Sequence, residues 1–456
     1  MNENSSAQLP HDQQATSAQE TTLVNKRSRR AQIIIASITA GVMLLTAGVA
    51  ALTWPSFETG AAAELPTTGY DEWLDEDDFN AQSSSYEWER EMNEALESGD
   101  KDAFLANSEG QAQEMLGYWW DGTRDIGWEY AYAVGFPGFD EEPGYLELGM
   151  KLGFASHPLR SSGSNDAGLD LTQMFQYEAV FEGEGNDAVL VELIPNTPMP
   201  WDEGPIYVAK RDQVVLFGVE SERALVDANI DLAQESAATA LELLQRIGGE
   251  APTDGFTAAI TDDAARFDAW GGGHEELDDM EVAGFAQSTR RPSIRTEYMP
   301  QEIATGNYSS GSWVAIGPLS ESYRGSVFIH EFAHVLHESA LPYNSLGYTS
   351  MQPTEGFAEY LEHLASQENG YSVEPRVQQA IAEHGEGAFS AKLLRGEDAY
   401  WAYQAAASFF HYIEAAGGSP WQLAMDRDNG LTMEQRAKHQ NPEFTEEAWQ
   451  AWAAQL

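Results

Sequence analysis

The stretch from Ser326 to His337 reads Ser-Val-Phe-Ile-His-Glu-Phe-Ala-His-Val-Leu-His and carries the pattern H-E-x-x-H at His330, Glu331 and His334. On a helix, residues four apart share a face, so these two imidazoles can grip one metal ion from the same side. Glu331 projects about 100° away from His330, where it can reach a water beside that ion without being a ligand. Val327, Phe328, Ile329, Phe332, Val335 and Leu336 make the helix apolar nearly all round, as a core helix must be. Histidine is scarce, 10 in 456 residues, so the pattern is seldom met by chance in such a chain.

A tetrahedral zinc needs a further protein ligand, and the next turn of the same helix cannot supply it with good geometry. His337 is aimed past the metal. An H-E-x-x-H-x-x-G-x-x-H pattern would need Gly at His337 and His at Ala340, and has neither. A second helix is the better source. In Thr354-Glu-Gly-Phe-Ala-Glu-Tyr-Leu-Glu-His363, Glu355 and Glu359 lie four apart on one face. One can bind metal while the other accepts an N–H from a ligand imidazole.

H-E-x-x-H followed by E-G-F-A-E-Y resembles the gluzincin zinc metallopeptidases, closest to the aminopeptidase-N type of catalytic domain, over about residues 225–430. The resemblance implies Zn²⁺ held by His330, His334 and Glu355, with Glu359 orienting a ligand histidine. Glu331 is then the general base. The segment Tyr403-Gln-Ala-Ala-Ala-Ser resembles the family's helix whose tyrosine stabilises the oxyanion, which falls on Tyr403, with Tyr400 one turn earlier as the fallback. The family's Gly-x-Met-Glu-Asn segment is missing. The corresponding strand, Gly311-Ser-Trp-Val-Ala-Ile-Gly317, has no acidic residue to hold a free amine, so an endopeptidase acting on peptides or proteins fits better. Two other classes stay open: a membrane-anchored binding or scaffold protein with a structural or vestigial zinc site, and a zinc hydrolase acting on a non-peptide acyl bond.

The elements that must position these residues read as α+β. Residues 86–220 suggest helices at Tyr86–Leu96 and Asp102–Trp120, then strands at 147–154, Met174–Glu182, Ala188–Ile194 and Pro205–Phe217. This part weakly resembles nuclear-transport-factor-like or cystatin-like domains. Trp119 and Trp120 are read as core packing. Residues 221–456 suggest the mainly helical catalytic domain. It opens with a helix at Glu222–Ile247 that stops at Gly248-Gly249, followed by a short mixed sheet from Phe256–Ile260, Glu281–Gln287, Ile294–Tyr298 and Ser312–Ile316. Helical pieces follow at Val377–Glu383 and Phe389–Leu394, and a terminal helix packs Trp449 and Trp452 on the core. His274 sits in a glycine-rich loop. His363, His384, His411 and His439 lack partners at metal spacing and read as structural.

Composition bounds the rest. A formal net charge of −50 offers no basic groove for nucleic acid and suits a self-repelling surface. Cysteine is absent, which excludes thiolate ligands, cysteine nucleophiles and disulfides. Residues 1–30 read as a polar, disordered cytoplasmic tail ending in Lys26, Arg27, Arg29 and Arg30. Residues 31–53 carry no charge and, at about 1.5 Å per residue, span a bilayer as a helix. The basic flank predicts a single-pass membrane anchor with the catalytic domain extracytoplasmic, in a bacterial setting given the lack of cysteine. A cleaved signal peptide ending near Gly60-Ala-Ala-Ala63 is the rival reading. Residues 54–85 form an acidic linker.

Overall fold

The computed structural model describes residues 88–136, 144–154, 173–183, 188–271, 283–288, 312–340, 351–366, 371–390, 393–394, 399–426 and 431–456. Helices α1 (88–98), α2 (Lys101–Leu105) and α3 (Gly110–Ile126) precede β1 (Trp128–Phe136), β2 (Gly144–Leu152), β3 (Gln173–Glu182) and β4 (Val189–Pro195). The strands form an antiparallel meander in the order 1-2-3-4. Along β3, Phe175, Tyr177 and Ala179 are buried and Glu178 is exposed, the alternation of a half-buried strand. Helix α3 turns Ala112, Met115, Leu116, Trp119, Trp120 and Ile126 inward, and Phe104 of α2 stacks on Trp119 with ring centroids 5.5 Å apart. The tryptophan pair is core packing, as expected of paired aromatics.

The second sheet holds β5 (Ile206–Lys210), β6 (Val214–Val219), β7 (Phe256–Ile260), β8 (Gly284–Ser288) and β9 (Ser312–Ile316), in the order 5-6-7-9-8. Strands β6, β7 and β9 run parallel, with β5 and β8 antiparallel at the edges. The parallel strands are apolar almost throughout because both their faces are covered. Val214, Leu216, Phe256, Ala258, Ile260, Val314 and Ile316 face a helical core built with α4 (Arg223–Arg246) and α6 (Glu321–Ala340). Val215, Phe217, Ala259, Phe285, Trp313 and Ala315 face the other way, into one core with α3 and the first sheet. On that side lies α5 (Ala264–Trp270), with Phe267 and Trp270 buried. Gly122 of α3 lets the two parts close, since a Cβ there would lie 2.9 Å from Ile206.

Helix α4 keeps Val226, Ile230, Ala233, Ala237, Ala240 and Leu244 buried and ends where Gly248 takes φ +81°. The remaining helices are α7 (Met351–Ser366), α8 (Pro375–His384), α9 (Ala399–Ala415), α10 (Pro420–Ala424), α11 (Met433–Gln440) and α12 (Glu446–Ala453). Trp449 of α12 is fully buried and donates from Nε1 to Ser408 Oγ at 3.1 Å, docking the tail on α9.

The α+β character stands, and several expectations are corrected. The single N-terminal transmembrane helix and the single-pass cell-membrane placement are withdrawn: among the described residues no helix is long and apolar enough to cross a membrane. The segment 31–53 that suggested the anchor lies outside the described residues, as do the tail, the acidic linker, His274 and the strand expected at Ile294–Tyr298. The single strand expected at Pro205–Phe217 is a hairpin, closed where Arg211 N–H meets Val214 O at 2.9 Å, and it belongs to the second sheet. That sheet therefore crosses the boundary expected at 220. Strand β1 is absent from the sequence pattern. A short 3₁₀ turn over Gly385–Phe389 precedes the helical piece expected at Phe389–Leu394, of which residues 391–392 lie outside the described residues; Leu393 and Leu394 N–H both reach Ser390 O.

Candidate metal centre

Two buried helices bring the candidate ligands together. Helix α6 lies on the second sheet, and Arg324 fixes its first turn. That guanidinium meets Asp262 Oδ1 at 2.6 Å and Asn229 Oδ1 of α4 at 3.3 Å. Every residue from His330 to Ala340 is buried. Helix α7 crosses α6 and is backed by α9, where Gly356 permits the approach: a Cβ there would come within 3.0 Å of Ala406 and Phe410. Gly356 is thus a packing residue next to the candidate ligand Glu355.

His330, His334 and Glu355 converge, their donor atoms lying within 4.8 Å of one another, all three residues buried. Glu355 Oε2 stands 3.6 Å from His330 Nε2 and 3.3 Å from His334 Nε2. Donors about 2.1 Å from a tetrahedral centre are about 3.4 Å from each other, so these separations suit a small four-coordinate ion. Glu355 Oε2 has no hydrogen-bond partner among the described residues, although it is buried. A buried carboxylate oxygen that two imidazole nitrogens flank without bonding is what a cation would satisfy. The group could hold a metal ion.

Electrostatics within the cluster are strong because water is excluded. Burial opposes charge on Glu355, yet His334 and His330 outweigh it and hold the carboxyl down at about 2. Burial likewise opposes a proton on His330, but the Glu355 and Glu362 carboxylates raise it well above the ordinary imidazole range. His334 is raised despite burial, chiefly by Glu355. Glu331 behaves differently. Burial pushes its carboxyl up to about 7, against the pull of His334 and His330. Its Oε2 is buried with no hydrogen-bond partner among the described residues. Gly284 of β8 gives Glu331 its room, since a Cβ at 284 would lie 3.0 Å from Glu331 Cγ.

Glu359 lies behind His330, its Oε2 3.7 Å from Nδ1. Three further residues belong to this layer and carry no flag in the motif. Glu362 Oε2 is nearer to the same Nδ1, at 3.4 Å. His363 Nε2 is 3.1 Å from Glu359 Oε1, and the Gln404 amide of α9 donates to that same oxygen. A signal for the first existed, because Glu355, Glu359 and Glu362 fall at i, i+4 and i+7 on one stripe. His363 is likewise four residues from Glu359. Gln404 had no local signal.

Tyr403 is buried on α9, its ring centroid 6.2 Å from that of His330. Tyr400, one turn earlier, is partly buried, and burial together with Glu359 and Glu374 pushes its hydroxyl above the ordinary range. His337 points away, as its position in the helix requires, with Nε2 2.9 Å from the Ala424 carbonyl. His411 is buried against Tyr371, ring centroids 3.6 Å apart, and burial keeps it neutral, with a pKa of about 2.

Fold and site together define an α+β protein with a buried His-His-Glu group that could hold a metal ion. The chain matches no known family and no curated protein, so that class is as far as the likeness to other proteins carries it.

Proposed function

We propose that this protein is a zinc-dependent peptidase of gluzincin type, with His330, His334 and Glu355 as the metal ligands. The observation that carries the reading is Glu331. It ligates nothing, yet it is buried beside the ligand group with a carboxyl near 7, poised to accept and return a proton at neutral pH. A structural zinc site has no use for such a residue. The donor set of two imidazoles and one carboxylate is that of hydrolytic zinc sites, which leave a position open.

When bound, the zinc ion supplies Lewis acidity and lowers the pKa of a water in its open position to about 7. The chain's own groups do the rest. Glu331 takes the proton of the water that attacks the peptide carbonyl and hands it to the departing amine nitrogen. Tyr403 donates its hydroxyl to the oxygen on which negative charge develops, with Tyr400 the neighbouring alternative. The buried walls of α6, α7 and α9 keep bulk water from competing for these bonds.

The test is cleavage of a mixed peptide library by the full chain with zinc supplied, beside Glu331→Gln. Cleavage by the wild type alone, with zinc retained in both, supports the peptidase. Equal cleavage by both proteins, or one zinc per chain with no cleavage, refutes it.

A further inference from the structure

Glu359 is the carboxylate that the motif nominates to orient a ligand histidine, but its surroundings give that task to another residue. For His330 to bind a metal through Nε2 its ring proton must sit on Nδ1, and the protonated ring favoured in the metal-free protein carries a proton there too. A buried N–H without an acceptor costs about 1–3 kcal/mol, so Nδ1 requires one. Two carboxylates face it, Glu362 Oε2 at 3.4 Å and Glu359 Oε2 at 3.7 Å.

Their other commitments separate them. Glu359 is already engaged: Oε1 receives the Gln404 amide and stands 3.1 Å from His363 Nε2. Gln404 Nε2 is itself 2.8 Å from His363 Nε2, so these three side chains form a closed knot between α7 and α9. Glu362 Oε2, by contrast, is buried with no hydrogen-bond partner among the described residues. It has lone pairs to spare, the His330 Nδ1 it faces is likewise without a hydrogen-bond partner among the described residues, and it is the closer of the two carboxylates. The helix places it there because residue 362 lies seven beyond Glu355, two turns along the same face.

We infer that Glu362 is the positioning residue that anchors the His330 ring, while Glu359 serves to lock α7 to α9 through Gln404 and His363. The metal-binding consequence rests on the proposed zinc site; the pairing of Glu362 with the His330 ring does not. Glu362 touches neither substrate nor the reacting atoms and acts only through His330. Its loss frees the ring to rotate about χ2 and so weakens the ligand set. Loss of Glu359 loosens the packing of two helices but leaves the ring held.

Two readouts test the division in the full chain. The first is zinc affinity by competition with a chromogenic chelator, for wild type, Glu362→Gln, Glu362→Asp and Glu359→Gln. Glu362→Gln is expected to weaken zinc about 10–100-fold, the usual loss for a ligand's outer partner. Glu362→Asp, which keeps the charge at shorter reach, should lose less. Glu359→Gln should stay within about threefold while its thermal midpoint falls. The second readout needs no metal. In the metal-free protein labelled with ¹⁵N-histidine, the downfield Nδ1–H resonance of His330, assigned by its loss in His330→Gln, should shift in both Glu362 variants and hold in Glu359→Gln. If Glu359→Gln loses the zinc and moves the resonance, or if both positions do so equally, the inference is wrong. A wild type that binds no zinc, yet whose resonance follows Glu362, would sink the peptidase reading and leave this one standing.

Discussion

Glu331 should destabilise the metal-free protein at neutral pH, and its neutral isostere should relieve that cost. The group is fully buried, and burial lifts its carboxyl from 4.5 to about 7. Below 4.5 the carboxyl is protonated both folded and unfolded, so it favours neither state. Above 7 it is ionised in both, and the folded state bears the full cost of a buried charge. A separation of about 2.5 pH units corresponds to about 3 kcal/mol. Glu331→Gln should therefore match the wild type near pH 4 and exceed it by about 3 kcal/mol at pH 8, the gain growing through the interval between. Urea midpoints measured in chelator at five pH values give the difference directly, converted with a common m-value. Saturating zinc should shrink the gain, because a cation beside Glu331 favours its ionised form. A difference that does not change with pH, or a Gln variant less stable than wild type at pH 8, would refute the argument.

Further outcomes follow from the same geometry. Glu355→Gln and His330→Ala should each lower zinc affinity by more than about 100-fold, beyond the range of outer partners, with zinc per chain read by elemental analysis. His337 is held neutral by burial, with its pKa lowered from 6.5 to about 4. Its contribution is present above 6.5 and lost as pH falls through 4, so metal-free wild type should lose about 3 kcal/mol relative to His337→Gln across that window in paired urea titrations. Gly356→Leu should destabilise by about 1–3 kcal/mol or more, by forcing α7 off Ala406 and Phe410, and should weaken zinc with it; unchanged melting would show that α9 yields freely.

What was legible in the chain was local. His330 with His334, and Glu355 with Glu359, are pairs four residues apart, and helical periodicity places each pair without knowledge of the fold. Strands β7 and β9 have the bounds their apolar runs indicate, since Gly255 and Gly317 flank them closely. The hairpin of β5 and β6 was hidden because Arg211-Asp-Gln213 carries no glycine to mark a turn. Strand β1 was hidden because Trp128 follows α3 after a single Gly127, leaving no loop composition between helix and strand. The 7-9-8 order of the sheet depends on long-range pairing that no local pattern encodes. The partners of Glu359 were illegible for the same reason: Gln404 lies on another helix, 45 residues away in the chain. Pairwise spacing found the donors, and only packing showed what holds them.

The second sheet is buried on both sides, and this limits how the protein can be divided. Phe285, Trp313 and Ala315 lie on strands that lead to the candidate centre, yet they are covered by residues from before position 220. A fragment beginning at the apparent start of the catalytic helices would lose β5 and β6, leave β7 as an unpaired edge and bare this aromatic face to water. The smallest fragment expected to be expressed in soluble form must include α1 onward. The two halves share one core, so each depends on the other for a buried face.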